Sequence, residues 1–178
     1  LKEAIEERKG EFEKEVKLPS VEIDLEIDAY IPDTYISDGH QKIEMYKRFR
    51  GATTLEDVEE LQEEMVDRFG EYPEEVAYLF QIAEIKAHAI MVGVESIKQA
   101  KNEVTILLSE QESARINGQK IFEISNQFRR MVGLGMEGNR LKIVLHIKGI
   151  EAAHWLQAAF KMIQGLQDAK RDEEKTVS

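Results

Sequence analysis

Residues 21–36 read VEIDLEIDAYIPDTYI, and the first half alternates without a break. Val21, Ile23, Leu25 and Ile27 fall on one side; Glu22, Asp24, Glu26 and Asp28 fall on the other. Successive side chains of a strand point to opposite faces, so the pattern predicts a strand with a buried apolar face and a wet acidic face. Four carboxylates also discourage a free edge from pairing with another chain. Pro32 has no N–H to give and ends the ladder. The connector that follows, 29–36, carries two tyrosines and two isoleucines. Those side chains need apolar surroundings, so the connector is expected to lie against the domain.

Three helices are expected next. Asp38 is a cap residue with Gln41 three positions on, and Ile43, Tyr46 and Phe49 give a stripe that Gly51 ends. Thr54 caps a second helix, where Leu55, Val58, Leu61, Met65 and Phe69 recur every three or four residues up to Gly70. Pro73 opens a third, followed by Glu74 and Glu75, where carboxylates favour a helix start. Val76, Leu79, Phe80, Ala83, Ala87 and Ile90 form its stripe, and Gly93 closes it.

The second half changes character. Residues 94–99 and 103–108 read as a hairpin joined by Lys101-Asn102. Residues 118–131 read as a helix with Ile121, Ile124, Phe128 and Met131 on one side. Residues 140–148 alternate again as a strand, and 151–167 form a last helix packing Ala152, Leu156, Ala159, Phe160 and Ile163, with Trp155 beside them. This order implies an α+β domain with a small, mostly antiparallel sheet and several packed helices. Residues 1–18 read as a tail or linker, 19–168 as the domain, and 169–178 as a flexible tail. The start at Leu1 without Met reads as a fragment of something longer.

Several chemistries are excluded or weakened. There is no cysteine, hence no disulfide framework, thiolate metal site or cysteine nucleophile. A net charge of −11 opposes general phosphate binding and suits a basic protein partner, so no direct nucleic-acid contact is expected. No apolar run reaches the ~20 residues of a membrane helix. Gly133, Gly135 and Gly138 fit G-x-G-x-x-G, but the pattern binds a dinucleotide only between a strand and the helix it opens. Here a helix is expected before it and a strand after, so it reads as a flexible turn. There is no P-loop. His40, His88, His146 and His154 lack zinc spacing, and no cofactor, metal or catalytic residue is expected.

The second helix is different in kind. Residues 54–75 hold ten carboxylates and one arginine. At 100° per residue, Glu56, Glu60, Glu63, Glu64 and Asp67 lie opposite the apolar stripe. Like charges at i,i+4 cost a few tenths of a kcal/mol each, so the face is either a solvated surface or one used on a basic partner. Arg115, Lys120, Arg129 and Arg130 form a milder basic set on the later half, read as a solvated face.

With these elements placed, three motifs carry a family resemblance. They are Asp28-Ala-Tyr-Ile-Pro-Asp-Thr-Tyr-Ile36, Tyr46-Lys-Arg48, and Glu64-Met-Val-Asp-Arg-Phe-Gly-Glu-Tyr-Pro73. In this order and spacing, the chain resembles the C-terminal domain family of the bacterial transcription-repair coupling factors (Mfd). Lys42-Ile43 stands where that family often has Arg-Leu. The half after Gly93 carries no equally sharp motif. The resemblance implies a non-catalytic domain of a cytoplasmic, ATP-driven DNA translocase that displaces stalled RNA polymerase and recruits UvrA. It implies docking on the N-terminal UvrB-like module, so that the UvrA-binding surface is covered and the motor restrained until polymerase is engaged. Glu64 and Asp67, then Glu60, Glu63 and Glu56, are the expected docking residues. The alternative is an adaptor that binds another repair or transcription partner through the 115–130 face.

Overall fold

In a computed structural model, residues 20–171 are described. The tail read over 1–18 therefore lies outside the described residues. The alternating stretch keeps its alternation: Val21, Ile23, Leu25 and Ile27 are half-buried and the four carboxylates exposed. The ladder itself is shorter than expected. Strand β1 is only Glu22–Asp24, paired in parallel with β2, Val94–Ala100, so that Ile23 faces Ile97. Two bonds, one of them long-range in sequence, divert the backbone before Pro32 is reached. The Glu26 N–H donates to Gln99 Oε1 at 2.7 Å instead of to a neighbouring strand, and the Ala29 N–H donates to Ile27 O at 2.8 Å in a three-residue turn.

The connector packs as expected. Ile31 and Ile36 are buried. The Ile31 N–H donates to Tyr46 Oη at 2.7 Å, and Tyr35 Oη donates to Gly70 O at 2.7 Å, which ties the connector to the first two helices it precedes.

Those helices are α1 (Gly39–Gly51), α2 (Leu55–Phe69) and α3 (Glu74–Val92). Asp38 and Thr54 cap α1 and α2 by accepting from the His40 and Asp57 N–H groups. Pro73 stands at the α3 N-cap. The α1 stripe is rotated from the expected one. Met45 and Phe49, one turn apart, are buried, Tyr46 is half-buried, and Ile43 is exposed. On α2, Val58, Leu61 and Met65 are buried. These residues meet the first half of α3 in a helical core, where Phe80 packs between Phe49 (ring centroids 4.7 Å apart) and Tyr72 (4.9 Å).

The second half of α3 belongs to another core. Ile85, Ala89 and Val92 join the inner face of the sheet and the last helix, α6 (Ala152–Asp168). Helix α3 is thus buried on more sides than one stripe provides. Gly93 ends it in the left-handed region (φ 85°), and β2 begins at once.

The sheet has five strands in the order β1-β2-β3-β5-β4, where β3 is Glu103–Leu108, β4 Val132–Glu137 and β5 Arg140–His146. All pairs but β1–β2 are antiparallel, so the fold is α+β with a mostly antiparallel sheet. Two corrections to the sequence reading fall here. The glycine cluster is not a flexible turn: Gly133 and Gly135 lie inside edge strand β4, and only Gly138 turns. No helix follows them, which leaves no helix N-terminus for a pyrophosphate. The helix expected over 118–131 is also two pieces, α5 (Gly118–Asn126, after a single helical turn α4, Glu110–Ser113) and a 3₁₀ turn (Arg129–Met131). Ser125 Oγ and Gln127 Nε2 donate to the Phe122 and Ile124 carbonyls, and Arg129 takes φ 53°, which an α-helix does not allow.

The expected tail boundary at 168 falls inside packed structure. Ala169 is buried, its carbonyl accepts from the Asn117 N–H at 2.8 Å, and Lys170 Nζ pairs with Glu112 at 2.9 Å. Residues 172–178 lie outside the described residues.

The two hairpins offer an internal comparison. Each has a two-residue loop whose first residue has positive φ: Gly138 (61°) in one and Lys101 (55°) in the other. A side chain there costs about 1–2 kcal/mol. Lys101→Gly is therefore expected to raise stability by about 1 kcal/mol and Gly138→Lys to lower it by a similar amount, read from urea midpoints at constant m-value.

Candidate docking face

The acidic helix α2 is held rigidly. Its inner side is anchored by Val58, Leu61 and Met65, its start by Thr54 and its end by Gly70 at φ 85°. Glu56, Glu60, Glu63 and Asp67 project from it and are exposed. Their spacing places them within a sector of about 60° at 3.6 residues per turn. The five expected residues are not equivalent, however. Glu64 is half-buried on the flank facing α1, where its carboxylate accepts from Arg48 Nη1 at 2.7 Å and Arg68 Nη1 at 3.2 Å. Arg68 also reaches Glu44 at 3.3 Å and lies over the Phe69 ring at 4.9 Å. The Arg48 hydrogen bond, and then that of Arg68, hold the Glu64 carboxyl below the usual carboxylate range. Glu64 is therefore part of a charge-compensated joint between α1 and α2. The Arg68 half of that joint was visible in the sequence as an i,i+4 pair; the Arg48 half required the α1–α2 packing.

The outward carboxylates flank two hollows. Glu63 and Asp67 border a shallow one of about 500 Å³, with Val66, Gln62 and Tyr72 beside them. Val66 is 44% exposed, an apolar side chain next to an acidic rim. Glu60 borders a second hollow of about 410 Å³ that Arg48, Lys47 and Asp57 also line. The apolar element at Val66 was missed in the sequence. Its only signal was a valine one position past the apolar stripe.

The basic set of the later half is dispersed. Arg115 lies against Glu112 at 3.3 Å, Lys120 is on α5, and Arg129 and Arg130 are exposed on the 3₁₀ turn. Among the described residues, no group of three His, Asp or Glu side chains converges as a metal would require, and no helix is long and apolar enough to cross a membrane.

The Glu64 joint has a pH signature. A carboxyl depressed in the folded state contributes stability above its unfolded value of about 4.3 and loses it as pH falls through the folded value. Glu64→Gln is expected to cost up to about 1 kcal/mol at pH 7 for a partly exposed pair. The difference from wild type should close between about pH 5 and pH 3. Urea titrations across that range check it, and a gap that stays constant would show that Glu64 acts by packing alone.

Comparison with known proteins gives a consistent result. Protein-family models match the TRCF domain over residues 25–119. The transcription-repair-coupling factor of Bacillus subtilis (strain 168) is 56% identical over 171 residues, covering 96% of this chain and 14% of that protein. Its counterpart in Staphylococcus aureus (strain USA300) is 34% identical over the same length and coverage. The chain thus spans about a seventh of the curated relatives it matches. A crystal structure of the C-terminal domain of transcription-repair coupling factor superposes with a TM-score of 0.76 at 33% identity, covering 85% of this chain and 94% of that one. Its sequence and its fold together show that the chain belongs to the TRCF domain family, the C-terminal domain of bacterial transcription-repair coupling factors.

Proposed function

We propose that the chain is a non-catalytic, autoinhibitory docking domain of a cytoplasmic transcription-repair coupling translocase. In this reading it binds the N-terminal UvrB-like module of the same protein, masks the UvrA-binding surface and restrains the motor until RNA polymerase is engaged. The observation that carries the reading is the rigid α2 face. Four exposed carboxylates, Glu56, Glu60, Glu63 and Asp67, stand on a helix anchored along its opposite side, and Val66 adds an apolar contact beside Glu63 and Asp67. Interfaces that place an apolar contact inside a charged rim gain affinity from the first and orientation from the second. Glu64 takes part indirectly, by fixing α2 on α1 through Arg48.

A mask that must open needs a modest contact. A ligand shifts an equilibrium only by its differential affinity for the two states, and a few polar contacts at a partly wet face supply a few kcal/mol. No P-loop occurs in the sequence, so in this reading ATP hydrolysis belongs to other parts of the parent protein. A second reading has its own observation. Phe122 is 58% exposed on α5, on the same later half as Arg129 and Arg130, which suits an adaptor that recruits an acidic partner directly.

In the full-length protein, Glu63→Lys/Asp67→Lys is expected to raise UvrA affinity about tenfold or more, equivalent to roughly 1.4 kcal/mol of lost docking. The domain's urea midpoint should stay within about 0.5 kcal/mol of wild type, as for surface changes elsewhere. Glu64→Lys is a poorer probe, because it would put three cations into the Arg48–Arg68 joint. Unchanged UvrA affinity in a folded variant would remove these residues from the interface. Loss of a partner's binding on deletion of the domain would favour the adaptor.

A further inference from the structure

The two edges of the sheet are guarded differently. Strand β1 is three residues long and holds Glu22 and Asp24 exposed, both features that discourage another strand from pairing. Strand β4 is six residues long, contains no proline or lysine, and has its one charge, Glu137, at its last position. Its free side can be derived residue by residue. The two-residue loop 138–139 makes Glu137 and Arg140 a hydrogen-bonded pair, so bonded pairs recur at Gly135–Lys142 and Gly133–Val144. The Leu141 N–H fits this alternation: it turns away from Met136, its neighbour in register, and donates to Ser113 Oγ at 2.8 Å. The N–H and C=O groups of Val132, Leu134 and Met136 therefore face outward, and among the described residues no hydrogen bond reaches them.

Three outward residues at alternate positions are complementary to themselves. Turned about a two-fold axis at Leu134, a second copy of β4 runs antiparallel to the first. Leu134 then stands opposite Leu134, Val132 opposite Met136, and Gly133 opposite Gly135. The first two kinds of pair are the bonded ones, so every outward group finds a partner in a single register. The same register sets the exposed Met136 side chain beside Val132 of the other copy, while the opposing glycines have no side chains to clash. Charge fits as well. Arg129 and Arg130 precede β4 and are exposed, and antiparallel pairing lays them alongside Glu137 of the other copy. Among the described residues, none of these three has an ion-pair partner. We propose that β4 pairs with β4 of a second copy of this chain, joining two five-stranded sheets across an isologous contact. One strand pair buries far less than the ~1,600 Å² of a standard interface, so the dimer is weak and forms as concentration rises. The contact stands whether or not α2 is a docking face.

The test is amide hydrogen exchange and sedimentation of the 178-residue chain from micromolar to millimolar concentration. The Leu134 and Met136 amides are expected to slow about twofold or more once half the chains are paired, while the Gly133 and Gly135 amides, bonded to β5 throughout, change little. Sedimentation should show a monomer–dimer equilibrium over the same range. Met136→Pro removes one outward N–H and none of the β5 bonds, and should weaken the dimer. Glu137→Arg and Arg130→Glu should each weaken it too, and the double variant should restore most of it, which damage to the fold would not allow. A chain that stays monomeric at millimolar concentration would overturn the proposal. So would a dimer whose Leu134 and Met136 amides exchange as fast as those of the monomer.

Discussion

Helix α3 has to be buried on different sides at its two ends, and the rest of the molecule is arranged to meet that demand. Its first half enters the helical core through Val76, Phe80 and Ala83; its second half enters the sheet core through Ile85, Ala89 and Val92. Small residues make this possible. Ala83, Ala87 and Ala89 let neighbouring elements approach the helix closely from opposite sides, where longer side chains would hold them apart. The exit is equally constrained. A Cβ on Gly93 would stand 2.3 Å from Glu112 Cγ, in a backbone region that L residues rarely adopt. Glycine alone lets α3 stop and β2 begin without a connecting loop while Glu112 closes over the junction.

Glu112 extends that junction to the end of the domain. Its carboxylate pairs with Lys170 at 2.9 Å and Arg115 at 3.3 Å, and the Lys170 hydrogen bond is the chief reason it is held below the usual carboxylate range. The segment after α6 is thereby locked beside α4. Helix α6 meets α5 closely at Gly165, where a Cβ would stand 2.9 Å from Ile124 Cγ2. The two cores are thus coupled through one helix, and the second is clamped at its far side. Helix α2 joins this arrangement through the helical core, where its Val58, Leu61 and Met65 cluster with Phe49 and Phe80.

Much of this was legible in the sequence because local rules and tertiary packing agree. The caps at Asp38 and Thr54, the stops at Gly70 and Gly93, the first hairpin and the last helix all follow from neighbours a few residues apart. What was not legible depended on distant partners. Strand β4 was invisible because Val132-Gly-Leu-Gly-Met136 has little strand propensity of its own and is held by its register on β5. The α1 stripe was assigned through Ile43 rather than Met45 because apolar spacing alone fits either rotation. The strand at 21–27 was overextended because the diverting Gln99 side chain lies far away in sequence. The candidate site divides in the same way. Exposure of Glu56, Glu60, Glu63 and Asp67 followed from helical geometry, whereas the compensation of Glu64 by Arg48 required knowing which helix lies beside α2.

The proposed docking depends on one physical condition, that α2 presents uncompensated negative charge to a basic partner. The most direct measurement is a titration of this domain into the isolated N-terminal UvrB-like module at low and at physiological ionic strength. Screening acts over about 8 Å at 0.15 M, so contacts between exposed charges weaken while apolar burial does not. A charged docking face on α2 predicts an affinity that falls clearly as salt rises. An affinity indifferent to salt would contradict it and place the interface on an apolar surface instead.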